Sequence, residues 1–327
     1  MTRVAVDALG GDHAPVEVVA GAQAASADGI EPVLFGPAGL DAQRLELVAC
    51  SERIAMDDKP AEAVRARPDS SLVRAVRSVG DGDTSAVVSA GNTGAMLAAS
   101  LLHVRRLRGV SRPGIAIVLP GRRGPTVLID AGANADARPE QLVQFAHMGV
   151  VFAQEILDIG EPTVRLLSIG EEREKGNQLT LEAHELLEEA DVRFEGNIEG
   201  RDLLETAADV VVCDGFTGNV ALKTVEGTIR SVLEALRAEI RESARGRLGG
   251  LLIRPAARGL RARLDPETYG GGYLLGLRGL VVIAHGSSSR VAIANATRMA
   301  ARGVEHRLVE HLAARLPERP VENAPES

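Results

Sequence analysis

Short apolar runs rich in β-branched residues alternate with stretches of helical periodicity along the chain, and this alternation limits the possible folds most strongly. Strands are predicted at Val4–Asp7, Val33–Phe35, Ala86–Ser89, Ile115–Leu119, Val127–Asp130, Val164–Ser168, Val210–Cys213 and Leu280–Ala284. Helices are predicted between them at Pro15–Ala27, Ser71–Val79, Thr93–Val104, Glu140–Ile159 and Leu179–Glu189. The strands lack clean polar alternation, so the sheet should be covered on both faces. Repeated βα units of this kind predict an α/β fold with right-handed crossovers.

A longer helix is predicted at Val220–Ser243, where the apolar residues fall on one helical face. At 1.5 Å per residue it would be about 36 Å long, enough to project from a compact domain. We expect Gly249 and Gly250 to form a hinge after it, and Pro255 to start a new turn. The last helix is predicted at about Ser288–Arg315.

The domain prediction follows from these elements. Residues 1–316 should form one α/β catalytic unit, either undivided or built of two lobes that share a cleft. Within it, residues 220–264 form a helical hairpin that faces a dimer partner or a membrane. Residues 317–327 are rich in Pro and Glu and are expected to form a flexible tail.

The composition argues against a nucleic-acid partner. The 327 residues include five Phe, two Tyr and no Trp, too few aromatic side chains for stacking bases. The 37 Lys and Arg are outweighed by 45 Asp and Glu, which gives a net charge of −8. The only two cysteines, Cys50 and Cys213, match no metal-ligand spacing, which favours a cytoplasmic protein with free thiols. No apolar run approaches the ~20 residues that span a bilayer.

Glycine-rich turns follow several of the predicted strands, where helix N-termini present free N–H groups to ligands. In the first turn, DALGGDHAP, Gly10 and Gly11 allow a tight backbone. His13 lies in the same turn, and two interpretations stay open. It could bind an anion or exchange a proton, or it could merely satisfy the turn.

The second turn, SAGNTGA, resembles a phosphate cradle. Gly91 and Gly94 allow close approach of a ligand, while Ser89, Asn92 and Thr93 offer polar side chains. The segment is neither a Walker A nor a dinucleotide-binding fingerprint. A plain helix N-cap is the alternative.

Three further turns carry candidate charged groups. Lys175 lies in SIGEEREKGN, one of only three lysines in the chain. In VVCDGFTGNVALK, the carboxylate of Asp214, the amide of Asn219 and the ammonium of Lys223 could converge to bind an anion and manage a proton. A buried Asp214–Lys223 ion pair is the alternative. The last turn, AHGSSSR, contains His285 and Ser287.

Several other chemistries lack their motifs. No HExxH motif supports a metal site, and no GxSxG elbow supports a serine hydrolase. We therefore expect no metal, no cofactor and no covalent nucleophile. The residues by themselves indicate group transfer to or from phosphate.

The succession of these motifs resembles the PlsX family over residues 3 to 300. The motifs are DALGGDHAP, MDDKP with DSSL, SAGNTGA, GPTVLIDAGANAD, IGEEREKGN, GNIEGRD, VVCDGFTGNVALK, LDPETYGG and HGSS. The resemblance implies a three-layer α/β sandwich similar to the phosphate acetyltransferase and isocitrate/isopropylmalate dehydrogenase folds, with a protruding helical hairpin. The stretch between Phe35 and Ile54 is shorter than in other members.

The resemblance also implies the reaction. PlsX proteins transfer a fatty acyl group from acyl-acyl-carrier protein (acyl-ACP) to inorganic phosphate, which starts phosphatidic acid synthesis. They are homodimers, associate peripherally with the membrane, and supply a downstream glycerol-3-phosphate acyltransferase. On this basis the phosphate-binding candidates are Gly10, Gly11, Ser89, Gly91, Asn92, Thr93, Gly94 and Ser287, and the catalytic candidates are His13, Lys175, Asp214, Asn219, Lys223 and His285.

Bound phosphate is itself a nucleophile, so the enzyme must hold it near the thioester and stabilise the developing oxyanion. We expect Asn92, Thr93 and the Ser89–Gly94 backbone to cradle phosphate, with charge supplied by Lys175 and Lys223. His13 or His285 would stabilise the oxyanion or protonate the thiolate. Asp214 and Asn219 would orient these groups.

Residues 243–263 contain six Arg and no acid, interleaved with Leu and Ile. Such a segment can bind anionic lipid head groups or an acidic carrier protein. The facing residues are expected to be Arg247, Leu251, Leu252, Ile253, Arg254 and Arg258. Packing against a dimer partner is the alternative. Two other functions stay open, a phosphate acetyl- or butyryltransferase that uses coenzyme A thioesters and a membrane-recruited scaffold without turnover.

Overall fold

The computed structural model describes residues 1–122, 124–205, 207–264, 268 and 270–317. Within this part of the chain, eleven strands form one sheet in the order β3-β2-β1-β4-β11-β10-β5-β6-β9-β7-β8. They are β1 Arg3–Asp7, β2 Glu31–Gly36, β3 Glu46–Ala49, β4 Ala86–Ser89, β5 Gly114–Pro120, β6 Pro125–Ile129, β7 Thr163–Ser168, β8 Arg193–Glu199, β9 Val210–Val212, β10 Gly272–Leu275 and β11 Leu280–Ile283.

The direction of the strands reverses near the middle of the sheet. Strands β3, β2, β1, β4 and β11 are mutually parallel, and β10 runs antiparallel to both β11 and β5. Strand β5 is antiparallel to β6, and strands β6, β9, β7 and β8 are mutually parallel. The carboxyl ends of β1, β4 and β11 therefore point one way, and those of β6, β9 and β7 point the other way.

The register brings these two sets of strand ends to the same level. Ile129 at the end of β6 pairs with Ala116 of β5. Ile283 at the end of β11 pairs with Gly272, whose neighbour Tyr273 also pairs with Ala116. Both sets of loops therefore start level with the centre of β5 and extend in opposite directions.

Helices cover both faces of the sheet. They are α1 Val16–Ser26, α2 Pro60–Ala66, α3 Ser71–Asp81, α4 Thr93–His103, α5 Pro139–Leu157, α6 Gln178–Glu188, α7 Gly215–Glu242, α8 Ala244–Leu264, α9 Arg290–Glu305 and α10 Leu308–Arg315. One core contains side chains of α1, α5, α6, α9 and α10, including Phe145 and Phe152. The other contains side chains of α2, α3, α4 and the start of α7, including Met96 and Leu222. The predicted three-layer α/β fold is confirmed.

Helices α7 and α8 pack against each other as a hairpin that leaves the body of the protein. The buried residues of α7 are Gly215, Gly218 and Leu222, all within its first two turns. At 1.5 Å per residue, the 28 residues of α7 extend about 42 Å. The helix starts at Gly215 rather than Val220 because the Asp214 carboxylate caps its N-terminus.

The predicted hinge of the hairpin was wrong. Gly249 and Gly250 both lie inside α8, and the break falls at Ser243, whose backbone is extended. The Ser243 hydroxyl accepts a hydrogen bond from Gly246 N at 2.9 Å and so caps the next helix. Pro255 also lies inside α8 rather than at the start of a turn. The boundary between the two helices is therefore marked by the N-cap serine and not by the pair of glycines.

The last predicted helix is two helices, α9 and α10, because Arg307 between them has a φ of 51°. The sequence patterns also missed α2, β3, β8 and β10. Strand β3 lies in the short stretch between Phe35 and Ile54 and is half exposed at the sheet edge. Half of the LDPETYGG motif and nearly all of the predicted tail, 317–327, lie outside the described residues.

Candidate active site

The loops that follow β1, β4 and β11 meet at one edge of the sheet. These three strands are parallel neighbours, so their carboxyl ends lie side by side. Asp12 N donates to the Gly286 carbonyl at 2.7 Å, and Ala284 N donates to the Ser89 carbonyl at 2.9 Å. Three predicted segments, DALGGDHAP, SAGNTGA and AHGSSSR, therefore form one loop cluster.

Asp7 connects two of these loops, and sequence reasoning did not select it. Its carboxylate is 2% exposed and accepts hydrogen bonds from the Ser71 hydroxyl at 2.5 Å and the Ser89 hydroxyl at 2.7 Å. Burial raises the pKa of Asp7, and the bonds from Ser71 and Ser89 oppose that rise. An acid directly after the apolar residues Val4, Ala5 and Val6 was the available signal. Asp7 fixes the Ser89 side chain by this hydrogen bond and so helps to position the loop that follows β4.

Gly10 is required because the first two loops touch. A Cβ added to Gly10 would lie 2.6 Å from Asp7 Oδ2 and 2.7 Å from Gly91 N, closer than real contacts allow. Gly11 has a φ of +100°, a conformation that L residues rarely adopt. Gly91 N in turn donates to the Ser89 hydroxyl at 3.0 Å. The glycines therefore let two backbones approach each other.

The Asn92 side chain is fully used within the protein. Its Oδ1 accepts from Ala95 N at 3.0 Å and caps α4, while its Nδ2 donates to the carbonyls of Met56 and Asp58 at 2.8 and 3.2 Å. Thr93 is exposed at the first position of the helix, and Gly94 packs against Pro60. An anion at this helix N-terminus would thus be held by backbone N–H groups and the Thr93 hydroxyl rather than by Asn92.

Lys223, Glu226 and His285 form a triangle of polar groups beside the loop cluster. Lys223 Nζ lies 3.0 Å from Glu226 Oε2 and 3.2 Å from His285 Nδ1. His285 Nε2 lies 3.1 Å from Glu226 Oε1. Because an ammonium can only donate, Nδ1 must accept, so a neutral His285 carries its proton on Nε2, facing Glu226. The three polar groups therefore lie within 3.2 Å of one another.

Glu226 is the member of this triangle that the sequence did not reveal. Burial by itself raises the pKa of Glu226, but His285 and the Lys223 ammonium outweigh burial and hold the pKa below its usual value. Its Oε1 is buried and has no well-aligned hydrogen bond among the described residues. The i,i+3 spacing of Lys223 and Glu226 on a predicted helix was the available signal.

A cavity of about 430 Å³ opens between α7 and the loop after β11. It is lined by the triangle together with Ser287, Ser288 and polar side chains further along α7. Ser287 is exposed, whereas Ser288 is 5% exposed and its hydroxyl has no hydrogen-bond partner in the described part of the chain. A buried hydroxyl without a partner is costly, so Ser288 is well suited to bind a ligand in this cavity.

Asp214 and Asn219 lie in the other set of loops. Asp214 Oδ1 accepts from Thr217 N at 2.9 Å, and its Oδ2 accepts from the Thr217 hydroxyl at 2.6 Å, so the carboxylate caps α7. Asn219 faces Gly132, where an added Cβ would lie 3.6 Å from the Asn219 Cβ. Lys223 follows Asn219 by four residues on α7, one turn nearer the loop cluster.

The Asp214–Lys223 ion pair considered as an alternative does not form. Lys223 pairs with Glu226, and Asp214 bonds to Thr217, because nine residues of α7, about two and a half turns, separate Asp214 from Lys223. Lys175 is exposed in the loop after β7, where only its backbone forms described hydrogen bonds. His13 is exposed in the loop after β1. The fold of a single chain thus places Lys223 beside the loops that contain His13, Ser89, His285 and Ser287. Lys175 and Asp214 lie outside this cluster.

The loop around Gly132 is held by a second buried acid. Asp130 accepts hydrogen bonds from Ile115 N at 3.0 Å and from Asn134 N at 2.7 Å. Burial raises the pKa of Asp130, and these bonds oppose the rise. Since its described bonds all go to neighbouring loop and strand groups, Asp130 shapes the loop that faces Asn219.

The hairpin residues selected from the sequence line a second cavity, of about 680 Å³, between α7 and α8. Arg247, Leu251, Ile253, Arg254 and Arg258 contribute to its walls. Leu252 faces outward and is 78% exposed. Among the described residues, no helix is long and apolar enough to cross a membrane, and no group of three His, Cys, Asp or Glu side chains is placed to hold a metal ion.

Known proteins resemble this chain over almost its whole length. The family profile described as "Fatty acid synthesis protein" matches residues 2–311. A phosphate acyltransferase from Heliobacterium modesticaldum is 46% identical over 327 residues, covering 96% of this chain and 98% of that protein. A phosphate acyltransferase from Clostridium perfringens is 42% identical over 334 residues and covers 98% of each chain.

Solved structures of similar fold include a branched-chain phosphotransacylase from Enterococcus faecalis, with a TM-score of 0.62 and 18% identity. The match covers 94% of this chain and all of that one. At this identity the likeness establishes the fold and nothing more. The sequence relatives establish the family: the chain belongs to the PlsX family of phosphate acyltransferases and is an acyltransferase of fatty acid and phospholipid synthesis.

Proposed function

We propose that the protein transfers a fatty acyl group from acyl-ACP to inorganic phosphate, producing acyl phosphate and free ACP. The observation that carries this proposal is the contact of the Lys223–Glu226–His285 triangle with the cavity beside the glycine-rich loop cluster. The cluster offers helix N–H groups for an anion, and the triangle offers positive charge and a movable proton beside it.

In this reaction a phosphate oxygen attacks the thioester carbonyl carbon. The new C–O bond forms, the C–S bond breaks with its electron pair on sulfur, and the thiolate takes up a proton to leave as the ACP thiol. Thr93 and the backbone of Ser89–Gly94 hold the phosphate, and Lys223 neutralises its charge. His285 or His13 stabilises the oxyanion or protonates the thiolate.

Lys175, Asp214 and Asn219 keep a supporting role in the proposal. Asn219 lies one turn from Lys223 on α7, so it can position the acyl donor from the side of Gly132. Asp214 fixes the start of that helix. Lys175 can contribute only if the loop after β7 approaches the site, in the chain itself or across a dimer.

The reaction is tested by incubating the purified protein with acyl-ACP and phosphate and measuring acyl phosphate by mass spectrometry. Lys223→Ala should reduce turnover by about 10²-fold or more, as expected for loss of a charge at the reacting centre. Lys175→Ala is measured beside it. Unchanged activity in both variants would refute the assignment of charge to these lysines.

Parallel reactions with acetyl-CoA and butyryl-CoA separate the alternatives. Faster turnover with these thioesters would instead indicate a coenzyme A-dependent phosphate acyltransferase. Binding of acyl-ACP without any product would indicate a scaffold.

We further propose that the hairpin attaches the protein peripherally to the membrane and holds the acyl chain. Leu248, Leu251 and Leu252 are each more than half exposed on a segment with six Arg and no acid. Vesicles with anionic lipid should sediment the protein, and L251E/L252E should abolish that binding. Leu102→Glu, a 55% exposed leucine outside the hairpin, is the matched control.

We also propose that the protein is a homodimer and that a downstream glycerol-3-phosphate acyltransferase uses the acyl phosphate it forms. Light scattering after size exclusion measures the dimer directly. Coupling to the second enzyme is measured as transfer of the acyl group from acyl phosphate to glycerol 3-phosphate.

A further inference from the structure

Six exposed arginines cluster on a surface apart from both the triangle and the hairpin. Four of them, Arg105, Arg106, Arg108 and Arg112, lie within residues 101–113, a segment that contains no acid. Arg278 joins them, since its backbone N donates to the Arg105 carbonyl at 2.9 Å and its Nε to the Arg106 carbonyl at 3.0 Å. The sixth is Arg138. We call this set the arginine surface.

Part of the arginine surface surrounds a cavity of about 730 Å³. Arg106, Arg112 and Arg138 line it together with one carboxylate, Asp136. The Arg106 guanidinium donates to the Ser111 carbonyl, which directs it along the cavity wall. Three positive charges against one negative charge make the cavity attractive to anionic groups.

These arginines differ from the arginines that are held by ion pairs on the rest of the body. Arg67, Arg74 and Arg290 each form an ion pair with a nearby carboxylate. None of the six arginines of the arginine surface forms an ion pair with any residue in the described part of the chain. In a protein of net charge −8, six neighbouring cations that have no carboxylate partner among the described residues are available for an external anion.

The arginine surface is joined to the second set of loops. The Asn134 Nδ2 donates to the Pro113 carbonyl at 2.8 Å, and Gly215 N at the start of α7 donates to the Asn134 carbonyl at 2.8 Å. From Gly215, Lys223 lies eight residues along α7, about 12 Å at 1.5 Å per residue. A molecule bound at the arginine surface is thus near enough to deliver a flexible arm to the proposed site.

We infer that the arginine surface is the docking site for an acidic protein, which the proposed function identifies as the acyl carrier. This inference rests on the proposed function. The arginines are exposed and spread over two loops and a helix start, so they match several carboxylates on a protein surface better than one small anion, which is usually held by converging N–H groups. The hairpin, whose arginines are interleaved with exposed leucines, binds the lipid surface instead.

A lipid surface fits the arginine surface poorly. Leu102, 55% exposed, is the one strongly exposed large apolar side chain described in residues 101–113, so little could insert between lipid chains. The hairpin has four such side chains, Leu248, Leu251, Leu252 and Ile253, in six residues. Charge without insertion is typical of a protein partner that must bind and leave quickly.

The test is the double charge reversal R112E/R138E, compared with R77E/R193E, which changes the net charge equally at exposed arginines elsewhere. Affinity for the carrier protein is measured by calorimetry at low and high salt. R112E/R138E should weaken binding by about tenfold or more and flatten its salt dependence. The control should stay near wild type, and R112K/R138K should retain most of the affinity.

Turnover of two acyl donors completes the test. With acyl-ACP, R112E/R138E should raise KM and leave kcat nearly unchanged. With acyl-pantetheine, which lacks the carrier protein, its kcat/KM should match wild type. Equal loss with both donors, unchanged carrier affinity, or loss of vesicle binding with carrier affinity intact would each overturn the inference. A wild-type protein that binds the carrier but forms no acyl phosphate would refute the proposed function and leave this surface standing.

Discussion

Lys223 and His285 are 62 residues apart in the sequence, yet Lys223 Nζ lies 3.2 Å from His285 Nδ1. Lys223 is on α7, which starts from the end of β9, whereas His285 follows β11 on the other side of the strand reversal. The contact forms because both sets of strands end level with the centre of β5 and α7 crosses that level. It joins the two halves of the sheet at the proposed site.

Glu226→Gln should reduce kcat more than it changes the KM for phosphate. The amide keeps the shape of the side chain but loses the negative charge that faces His285 Nε2 and Lys223 Nζ. We expect a roughly 10- to 100-fold lower kcat and a shifted pH profile, because the charge balance around His285 changes. Glu239→Gln, on the exposed far part of α7, is the control. A profile identical to wild type would remove Glu226 from the mechanism.

Ser288→Ala should separate ligand binding from stability. The Ser288 hydroxyl is buried without a partner, so its removal should leave the melting temperature equal or slightly higher. If the hydroxyl binds phosphate, the KM for phosphate should rise several-fold. Ser287→Ala, at the exposed neighbouring position, measures the effect of a hydroxyl that is not buried. An unchanged KM in Ser288→Ala would mean that the hydroxyl does not touch phosphate.

Gly10→Ala should lower both stability and activity. The new Cβ would press on Gly91 N and on the Asp7 carboxylate, so the first two loops would have to separate. A cost of about 1–3 kcal/mol in the free energy of unfolding is expected, measured by denaturant titration. Gly39→Ala is the matched control, since an added Cβ there meets nothing within 4 Å. Equal stability of the two variants would contradict the close approach of the loops.

Glu17 should contribute to stability in a way that depends on pH. Hydrogen bonds from Arg290 lower its pKa to about 2, so the folded state favours the charged carboxylate. This contribution is complete above the unfolded pKa and is lost as the pH falls from about 4.5 toward 2. Calorimetric melting curves of Glu17→Gln should therefore depend less steeply on pH in that window than those of wild type. Parallel curves would exclude the Glu17–Arg290 pair as a source of acid stability.

Much of this protein could be predicted from local patterns. The alternation of buried strands and helices predicted the α/β class, because burial on both faces imposes apolar strands wherever they lie in the sheet. Gly10 and Gly11 were also predicted from a local pattern, because a tight turn requires glycine at specific positions. The strand pattern and the positive φ of Gly11 depend on neighbours in sequence, whereas the close approach of Gly10 to Gly91 depends on the fold.

Other features depend on the register of distant strands and could not be predicted. Asp7 and Ser71 are 64 residues apart, and the order of β1, β4 and β11 alone brings the Asp7 loop to the His285 loop. The contact of Lys223 with His285 could not be predicted because Asp214 is nearer in sequence, while the path of α7 across the sheet decides which group is nearer in space. Local patterns in the chain were enough to predict the layers and the glycine-rich loops. The tertiary structure decided which loops share a site, because hydrogen-bonded strand order, unlike periodicity, leaves no local trace in the chain.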